Sequence, residues 1–394
     1  MHGDYTVVIS DHRITYAGPA SSAPSTRRAH VVDGAGKFLI PGLWDMHVRS
    51  FMYVFSDFAG PLMIANGVTG ARDMGYHIDT TLRWKRDVLA GKEVGPRLVV
   101  GVRVDGPEGE ARFIAHVKTA EDGARAVDTL ARRKDRTTRA DFIVIDHDVP
   151  RDAYFGIARQ AKRVGIAWAG GVPDSVSIVE AADSGQRSIE REDDLMRACP
   201  PPRPCRDVIA ALIRNHTWVT PTLVSYQPYA HGFDSASTHP ELTKYVPGLV
   251  KGGWARRAAN KSDSITVRKY FSIERTRELK ESGVKLLAGS DMPQPFVYPG
   301  FSLHDELALL VKSGMTPLEA LQTATLNPAE FLGMQGSLGA IEKGKTADLV
   351  LLDANPLDDI ANTRRIAAVV ANGRLFDRAA LKALLQHVDS ALRR

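Results

Sequence analysis

The sequence is poor in cysteine, because only Cys199 and Cys205 occur among its 394 residues. Two cysteines cannot build the framework of a disulfide-rich secreted domain. They flank the segment CPPPRPC, which in polyproline II form would hold them roughly 19 Å apart. A disulfide needs Cα atoms within about 7 Å and would therefore demand a turn here. We expect two free thiols in a surface loop.

Long apolar runs and clusters of basic residues are also missing. No stretch approaches the roughly 20 apolar residues of a membrane span. The first ten residues, MHGDYTVVIS, have neither the basic nor the apolar region of a signal peptide. Lysine and arginine exceed aspartate and glutamate by only 51 to 46 and are scattered, which argues against nucleic acid as a partner. We expect a cytoplasmic protein without membrane contact.

The overall composition is that of an ordinary globular protein, with 44% hydrophobic and 25% charged residues. Such a chain can bury a large core without a folding partner. Its length exceeds the roughly 100–200 residues of a typical domain, although α/β barrels often run longer as one unit. We expect one large domain and one small domain.

Short strands open the chain, from Thr6 to Ser10 and from Ile14 to Ala17, with a turn between them. From about Leu43 to Gly333 the pattern changes, and apolar strand-like runs alternate with helical stretches. These runs are LWDMHV, GVTGARD, RLVVGVRV, DFIVID, VGIAWAG, QRSIE, WVTPTLV and VKLLAGSD. Eight strands that alternate with helices indicate an α/β fold, a closed parallel (β/α)8 or TIM barrel.

Two late helices carry start signals, TPLE at 316–319 and NPAE at 327–330. Each places a capping residue, a proline at the first helical position and a glutamate at the third. We therefore predict that Thr316 and Asn327 cap these helices.

Strand patterns return after Gly333, in ADLVLLD and AAVVANGRLF. We expect the two chain ends to form one small composite β-sandwich domain, from residues 1–42 and 334–378, around a barrel at 43–333. Residues 379–394 repeat apolar positions at helical spacing. This helix should pack on its own chain, with a homodimer contact as the alternative. Its apolar positions are Leu381, Leu384, Leu385, Val388 and Leu392.

The stretch from Ser225 to Ser262 follows a barrel strand and has weak periodicity but many aromatic residues, Tyr226 among them. Long loops at this position commonly close over a site. A surface excursion with scattered aromatic residues is an equally weighted alternative.

Several motifs together resemble the amidohydrolase superfamily, in its imidazolonepropionase- and prolidase-like branch. They occur in family order over nearly the whole chain. The motifs are FLIPGLWDMHVR, GVTGARDMG, VPDSVSIVEAADSGQRSIE, LLAGSDMP, PGFSLHDELALLVKSGMTPLEALQTATLNPAEFLG and GKTADLVLLDANPLDDIANTRRIAAVVANGRL. The resemblance implies the amidohydrolase-like barrel with its small β domain.

The resemblance also implies a centre of one or two divalent metals that activate water. Its ligands are a His-x-His pair after strand one, a carboxylated lysine on strand four, one histidine each from strands five and six, and an aspartate after strand eight. The matching positions here are His47, Arg49, Val144, Gly171, Arg191 and Asp291. Only the first and the last keep the family residue. Since a catalytic zinc takes about three protein ligands, we expect no family-type metal site and no cofactor.

Two arginines could take the place of the missing cations. We expect Arg49 and Arg191 to face Asp291 and to hold a carboxylate or a developing oxyanion of a small organic substrate. In this hypothesis His47 donates a proton and Asp291 acts as base or orients it. Loss of the ligands at Val144 and Gly171 leaves one side of the pocket apolar, which suits a bulkier substrate.

Further residues complete the predicted site. Asp146 lies two residues beyond Val144, hence on the same strand face, and is a second candidate acid or base; a solvated loop carboxylate is its alternative. Thr220, Thr222 and Tyr226 are candidate substrate contacts. Glu190 could pair with an arginine, although strand alternation should point it away from the lumen.

The sequence therefore predicts a metal-independent enzyme that catalyses cyclisation, isomerisation, dehydration, decarboxylation or, less favoured, hydrolysis. One alternative is a non-catalytic binder of a small anion, and another is a decayed site without function. A third is a metal-dependent amidohydrolase with a site rebuilt from residues such as Asp73, His77, Asp146 and His147.

Overall fold

The computed structural model describes residues 3–25, 29–49, 55, 57–107, 115–131, 139–260 and 267–393. The chain opens with a two-stranded antiparallel hairpin, β1 at Tyr5–Ser10 and β2 at Arg13–Pro19. Both predicted amino-terminal strands are therefore present. A short 3-10 helix at Ala20–Ser22 follows.

Seven parallel strands form most of a barrel. They are β4 at Leu43–Val48, β5 at Val68–Asp73, β6 at Arg97–Asp105, β8 at Phe142–Ile145, β9 at Ala167–Gly170, β10 at Ser188–Glu190 and β11 at Trp218–Thr220. Their order in the sheet is β11-β10-β9-β8-β6-β5-β4, and a two-residue strand, β7 at Ala115–His116, pairs with β6. The eighth predicted run, VKLLAGSD, closes the barrel through two bridges, Val219 to Leu286 and Val48 to Met292. The predicted α/β barrel is confirmed.

The strands read as continuous apolar runs because both of their faces are buried. In β8, Ile143 and Ile145 point outward into the main core, against the surrounding helices. Phe142 and Val144 point inward, where they meet Met74 and other apolar side chains.

Helices surround the strands and bury their apolar faces against them. They are α1 at Ala59–Ala65, α2 at Ile78–Leu89, α3 at Ala120–Ala131, α4 at Arg151–Val164, α5 at Ile178–Asp183, α6 at Glu192–Ala198, α7 at Arg206–Arg214, α11 at Ile273–Glu281, α12 at Phe301–Lys312, α13 at Pro317–Thr323 and α14 at Leu326–Phe331. Helix α13 begins with the predicted capping box of Thr316 and Glu319.

The predicted start of α14 is wrong. This helix begins at Leu326, so Asn327 lies inside its first turn and does not cap it. The Asn327 amide instead donates a hydrogen bond to the Leu286 carbonyl at 2.8 Å, which ties α14 to the closing segment of the barrel.

The excursion after β11 is mainly helical. It contains α8 at Leu223–Ala230, α9 at Ser235–Thr238, a 3-10 helix at Pro240–Tyr245 and α10 at Gly248–Ala259. Trp254 of α10 is buried beside Val246 and Tyr298. The last two positions of the predicted stretch, 261 and 262, lie outside the described residues.

The two chain ends meet in a four-stranded antiparallel sheet. Its strands are β3 at Phe38–Pro41, β12 at Leu349–Leu352, β13 at Ile366–Ala371 and β14 at Arg374–Asp377. Their order in the sheet is β14-β13-β12-β3. A cavity of about 2210 Å³, well away from the barrel mouth, is lined by the amino-terminal hairpin and this sheet. The exact domain boundaries at 42, 333 and 378 stay predictions.

The carboxy-terminal helix, α15 at Arg378–Leu392, packs on its own chain as predicted. Leu381 is buried against the four-stranded sheet, and Val388 is buried beside Leu62 of α1. Among the described helices, none has the length and hydropathy needed to cross a membrane. Cytoplasmic localisation stays a prediction.

The expectation of free surface thiols is wrong. Cys199 and Cys205 form a disulfide with a Cα separation of 5.5 Å, and both are buried in the main core. The chain turns between them, where the Arg203 amide donates to the Pro200 carbonyl at 3.0 Å. The extended polyproline geometry therefore does not hold for this segment, and the turn that a disulfide requires is present.

Candidate active site at the barrel mouth

A completely buried arginine, Arg72 of β5, lies in the interior of the barrel. It donates hydrogen bonds to the Met46 carbonyl at 2.6 Å and to the Ser188 hydroxyl at 2.9 Å. Its Nη2 donates to Glu190 Oε1 at 2.5 Å and to Thr220 Oγ1 at 3.2 Å. These partners come from three other strands, β4, β10 and β11, so Arg72 ties four strands together around one fixed charge.

Above Arg72, the imidazole of His47 lies between two carboxylates. Its Nδ1 is 2.9 Å from Glu190 Oε2, and its Nε2 is 3.2 Å from Asp291 Oδ1. Burial lowers the pKa of His47, but the charges of Asp291 and Glu190 and the hydrogen bond with Glu190 outweigh burial and raise that pKa above its ordinary value. His47 therefore favours the protonated, charged form.

Glu190 stabilises the positive charge of His47 from the side that faces Arg72. Burial raises its pKa, but the Arg72 charge and the contacts to His47 and Ser188 lower it to about 2. The prediction that Glu190 points away from the lumen is wrong. Arg191 has a positive φ of 72°, so the chain leaves the strand directly after Glu190. Strand alternation ends there, and the side chains of both residues face the site.

Arg49, directly after β4, and Asp291, in the run that closes the barrel, form one side of the mouth. The Asp291 amide donates to the His47 carbonyl at 2.8 Å, and the Arg49 amide donates to the Met292 carbonyl at 2.9 Å. Arg49 Nη1 lies 3.2 Å from Asp291 Oδ1. Burial raises the pKa of Asp291, but the charges of Arg49, His47 and Arg191 lower it well below its ordinary range. Arg49 therefore contacts Asp291, whereas Arg191 acts on Asp291 only through its charge.

The contact between His47 and Asp291 is close but poorly aligned. His47 Nε2 and Asp291 Oδ1 are both buried, and within the described part of the chain neither has a hydrogen-bond partner. Buried polar atoms are rarely left unpaired without a functional reason. These two atoms are therefore candidates for a direct contact with a substrate.

Arg191 reaches across the mouth to the end of β8. Its Nη2 donates to His147 Nδ1 at 3.1 Å, and its Nε lies 3.6 Å from Asp193 Oδ1. The other ring nitrogen of His147, Nε2, lies 3.0 Å from Asp194 Oδ1. The Val172 amide donates to the second oxygen of Asp194 at 2.9 Å.

Asp146, predicted as a second acid or base, forms an ion pair with Arg103 of β6. Its other oxygen accepts a hydrogen bond from the His147 amide at 2.9 Å. Arg103 is not among the site residues predicted from the sequence. The signal was available, because Arg103 lies near the carboxyl end of a barrel strand, where barrel active sites gather. Burial and the charge of Arg49 lower the pKa of Arg103 to about 10.

The three other predicted contacts are all buried and engaged with protein groups. Thr220 accepts a hydrogen bond from Arg72. The Thr222 hydroxyl lies 3.4 Å from the Ser225 hydroxyl. Tyr226 donates to Asp193 Oδ1 at 3.0 Å and so fixes a partner of Arg191. Their role in substrate binding stays a prediction.

The residues at the family's ligand positions do not fit its metal centre. Val144 is buried among apolar side chains, and a side chain at Gly171 would collide with His147, because a Cβ there would lie 2.7 Å from His147 Nε2. The Arg49 guanidinium contacts the same Asp291 oxygen that faces His47. Two donors are too few for a catalytic zinc.

A different group could hold a metal. His147, Asp193 and Asp194 place ligand atoms within 4.8 Å of one another, the one such cluster among the described residues. Of the residues predicted for a rebuilt site, only His147 belongs to it; Asp73, His77 and Asp146 do not. Arg191 and Arg197 already contact this cluster and supply positive charge there.

Comparisons with known proteins agree with this fold. Residues 252–376 match the model of the amidohydrolase family. The imidazolonepropionase of Sphingopyxis alaskensis is 26% identical over 89% of this chain and 86% of that protein. The ochratoxinase of Aspergillus niger is 34% identical over 33% of this chain, but the match spans only 25% of the ochratoxinase.

The solved structure of bottromycin amidohydrolase superposes with a TM-score of 0.77 at 24% identity, over 98% of this chain and 86% of the other. At this identity the likeness concerns the fold.

Proposed function

We propose that this chain, of which residues 252–376 match the amidohydrolase family, is an enzyme that acts on a small organic anion without a metal ion. The observation that carries the proposal is the contact of Arg49 with Asp291, at 3.2 Å. A guanidinium group occupies the carboxylate that would otherwise bind metal, and a second one, Arg191, lies close enough to lower the pKa of the same carboxylate.

In the proposed mechanism Arg49 and Arg191 hold the substrate carboxylate or a developing oxyanion. His47 is the proton donor, because the carboxylates on both sides raise its pKa. Asp291 orients His47 and is a poor base, since its pKa lies well below the ordinary range. A proton donor with paired cations suits decarboxylation, in which the His47 proton replaces the departing carbon dioxide. It also suits isomerisation, dehydration or cyclisation, in which His47 donates one proton and its deprotonated form accepts another. Hydrolysis would also need an activated water.

The floor beside these charges supports an apolar substrate body. Val144, Met74, Phe142 and Ala169 form a buried apolar cluster inside the barrel, on the side of β8 and β9. A substrate with a carboxylate at the arginines and a hydrocarbon portion over this cluster would match both halves of the pocket.

Metal content and turnover test the proposal together. The purified protein should carry well under one equivalent of zinc, iron, manganese or nickel. Proton NMR of a panel of small carboxylic acids with apolar bodies should reveal a turned-over compound, with a rate that survives a chelator. His47→Gln should then lower kcat by roughly 10²–10⁴-fold, whereas the exposed Arg378→Gln should not change it. Stoichiometric metal that a chelator removes together with activity would contradict the proposal.

The cluster of His147, Asp193 and Asp194 supports a second candidate, a metal-dependent amidohydrolase with a rebuilt site. In that case one equivalent of metal would be bound, and His147→Gln would abolish its binding. A non-catalytic binder would bind the carboxylates without converting any of them.

A further inference from the structure

We propose that Arg103 is a third anion-binding residue of this mouth, and that Asp146 occupies its guanidinium until a substrate carboxylate takes its place. This inference rests on the proposed function, because it extends the same pocket. In this proposal Asp146 pairs with Arg103 in the absence of substrate and does not act as an acid or base.

The first support is a continuous line of contacts across the mouth. Arg191 donates to His147, His147 Nδ1 lies 3.7 Å from Asp146 Oδ1, and the other Asp146 oxygen contacts Arg103. Arg103 therefore belongs to the same polar surface as Arg191. Arg49 contacts Asp291 at 3.2 Å at the same mouth, and its charge lowers the pKa of Arg103.

The second support is the difference in exposure between the two carboxylates beside Arg103. Asp105 is 4% exposed at its side chain and accepts a hydrogen bond from the Gly106 amide at 2.8 Å. Asp146 also accepts a hydrogen bond from a backbone amide, that of His147, but it is 18% exposed. Asp105 can therefore remain as a permanent counter-charge while Asp146 moves away.

The third support is the donor capacity of Arg103. Its contacts to Asp105 and Asp146 both use Nη2, whereas a guanidinium carries five N–H donors in a planar fork. Its side chain is 23% exposed, so a ligand can approach it from the mouth. Since a carboxylate already occupies the group, the ligand chemistry that replaces it most directly is another carboxylate.

The ligand class follows from the neighbours. The apolar floor around Val144 lies next to the β6 and β8 ends. The expected ligand is an organic monocarboxylate with an apolar body, whose two oxygens contact Arg103 and one of the other two arginines. Its binding frees Asp146 from its ion pair.

Calorimetric titration with benzoate tests this inference, with chloride at matched ionic strength as the reference. Arg103→Gln should weaken benzoate binding about tenfold, as expected for loss of a charge-assisted contact. Asp146→Asn should strengthen it several-fold, because it removes the competing carboxylate. Arg378→Gln, which changes an exposed ion pair on α15, should leave affinity unchanged. Circular dichroism checks that each variant is folded. The charge-preserving Arg103→Lys serves as a second control for folding.

The outcomes separate this inference from the proposed function. If Arg49→Gln and Arg191→Gln weaken benzoate binding but Arg103→Gln and Asp146→Asn do not, Arg103 only pairs with Asp146 and the inference is overturned. If neither the parent nor Asp146→Asn binds benzoate, the inference also fails. If Arg49→Gln and Arg191→Gln have no effect while Arg103→Gln does, the proposed function fails and the Arg103 site stands.

Discussion

The barrel holds charge in two layers that differ in exposure. In the inner layer Arg72, Glu190 and His47 are at most 2% exposed, and Arg72 has hydrogen-bond partners on three other strands. In the mouth Arg49, Arg103 and Arg191 are 15–23% exposed, and each forms an ion pair with a carboxylate. A fully paired buried charge fixes geometry, whereas a partly exposed cation with spare donors can bind a ligand.

The largest effect is expected in the inner layer. Arg72→Met would leave Glu190 buried without its cation, and removal of one partner of a buried ion pair costs about 3–5 kcal/mol. Urea denaturation should show this loss of unfolding free energy. The matched control, Arg378→Met, changes an exposed pair and should stay within about 0.5 kcal/mol. A loss below about 1 kcal/mol for Arg72→Met would remove the distinction between the layers.

Asp291 lies between the layers and should give an intermediate effect. Asp291→Asn leaves Arg49 and His47 without their shared carboxylate, which should cost about 2 kcal/mol, less than a fully buried pair because solvent reaches Arg49. Added phosphate or sulfate should raise the Tm more in the variant than in the parent, since an anion replaces the lost carboxylate. Equal anion responses and an unchanged Tm would favour a decayed site.

Two equally buried glutamates, Glu306 and Glu190, should make the stability of the protein depend on pH in opposite directions. Glu306 has no cation partner among the residues that the structure describes, and burial raises its pKa to about 8. By contrast, Arg72 helps to lower the pKa of Glu190 to about 2. A raised folded-state pKa contributes stability that is complete below the ordinary value of 4.5 and is lost as pH rises to about 8. For Glu190 the contribution is present above 4.5 and is lost as pH falls towards about 2.

Glu306→Gln should therefore flatten the decline of stability between pH 5 and 9. At pH 9 the variant should be more stable than the parent by at least about 1 kcal/mol, because the parent must hold a buried charge there. Urea denaturation at pH 5, 7 and 9 measures the difference. Parallel pH profiles of variant and parent would show that Glu306 titrates normally.

The smallest expected effect is an unchanged rate of amide cleavage after two metal ligands are restored. The double substitution Arg49→His and Arg191→His restores two family ligands in the mouth, but Val144 still supplies no bridging carboxylate and His147 still blocks position 171. Zinc-supplemented assays on amide substrates should show no cleavage above the parent. Zinc-stimulated cleavage by this variant would mean that the ligand positions are wrongly assigned.

Much of the fold could be predicted from the sequence, because strand and helix periodicity are local signals. Seven of the eight predicted barrel runs are strands, and the eighth closes the barrel through bridges. Capping chemistry identified Thr316 correctly but misplaced Asn327, whose side chain bonds to a distant carbonyl instead. The disulfide was missed because proline residues were read as one extended helix when the chain turns among them.

The candidate site was only half predictable. His47, Asp291 and Arg49 follow from strand ends and lie in contact, whereas Arg191 contacts His147 and Asp193 instead of Asp291. The orientation of Glu190 was wrong because alternation stops where Arg191 adopts a positive φ. Partners such as Arg72 and Arg103 come from strands far apart in sequence. Their importance depends on which carboxylates the closed barrel places opposite them.

The pairing of β3 with β12 constrains the order in which the protein is completed during synthesis. Ile40 pairs with Val350, more than 300 residues later in the chain. At about 5–20 residues per second, the ribosome needs roughly 15–60 s to supply the partner strand. Until then the apolar segment Phe38–Pro41 leaves the exit tunnel as an unpaired strand edge, which is a target for aggregation or chaperone binding. Contacts this remote in sequence also form slowly, and β3 can pair with β12 only after the whole barrel segment has been synthesised.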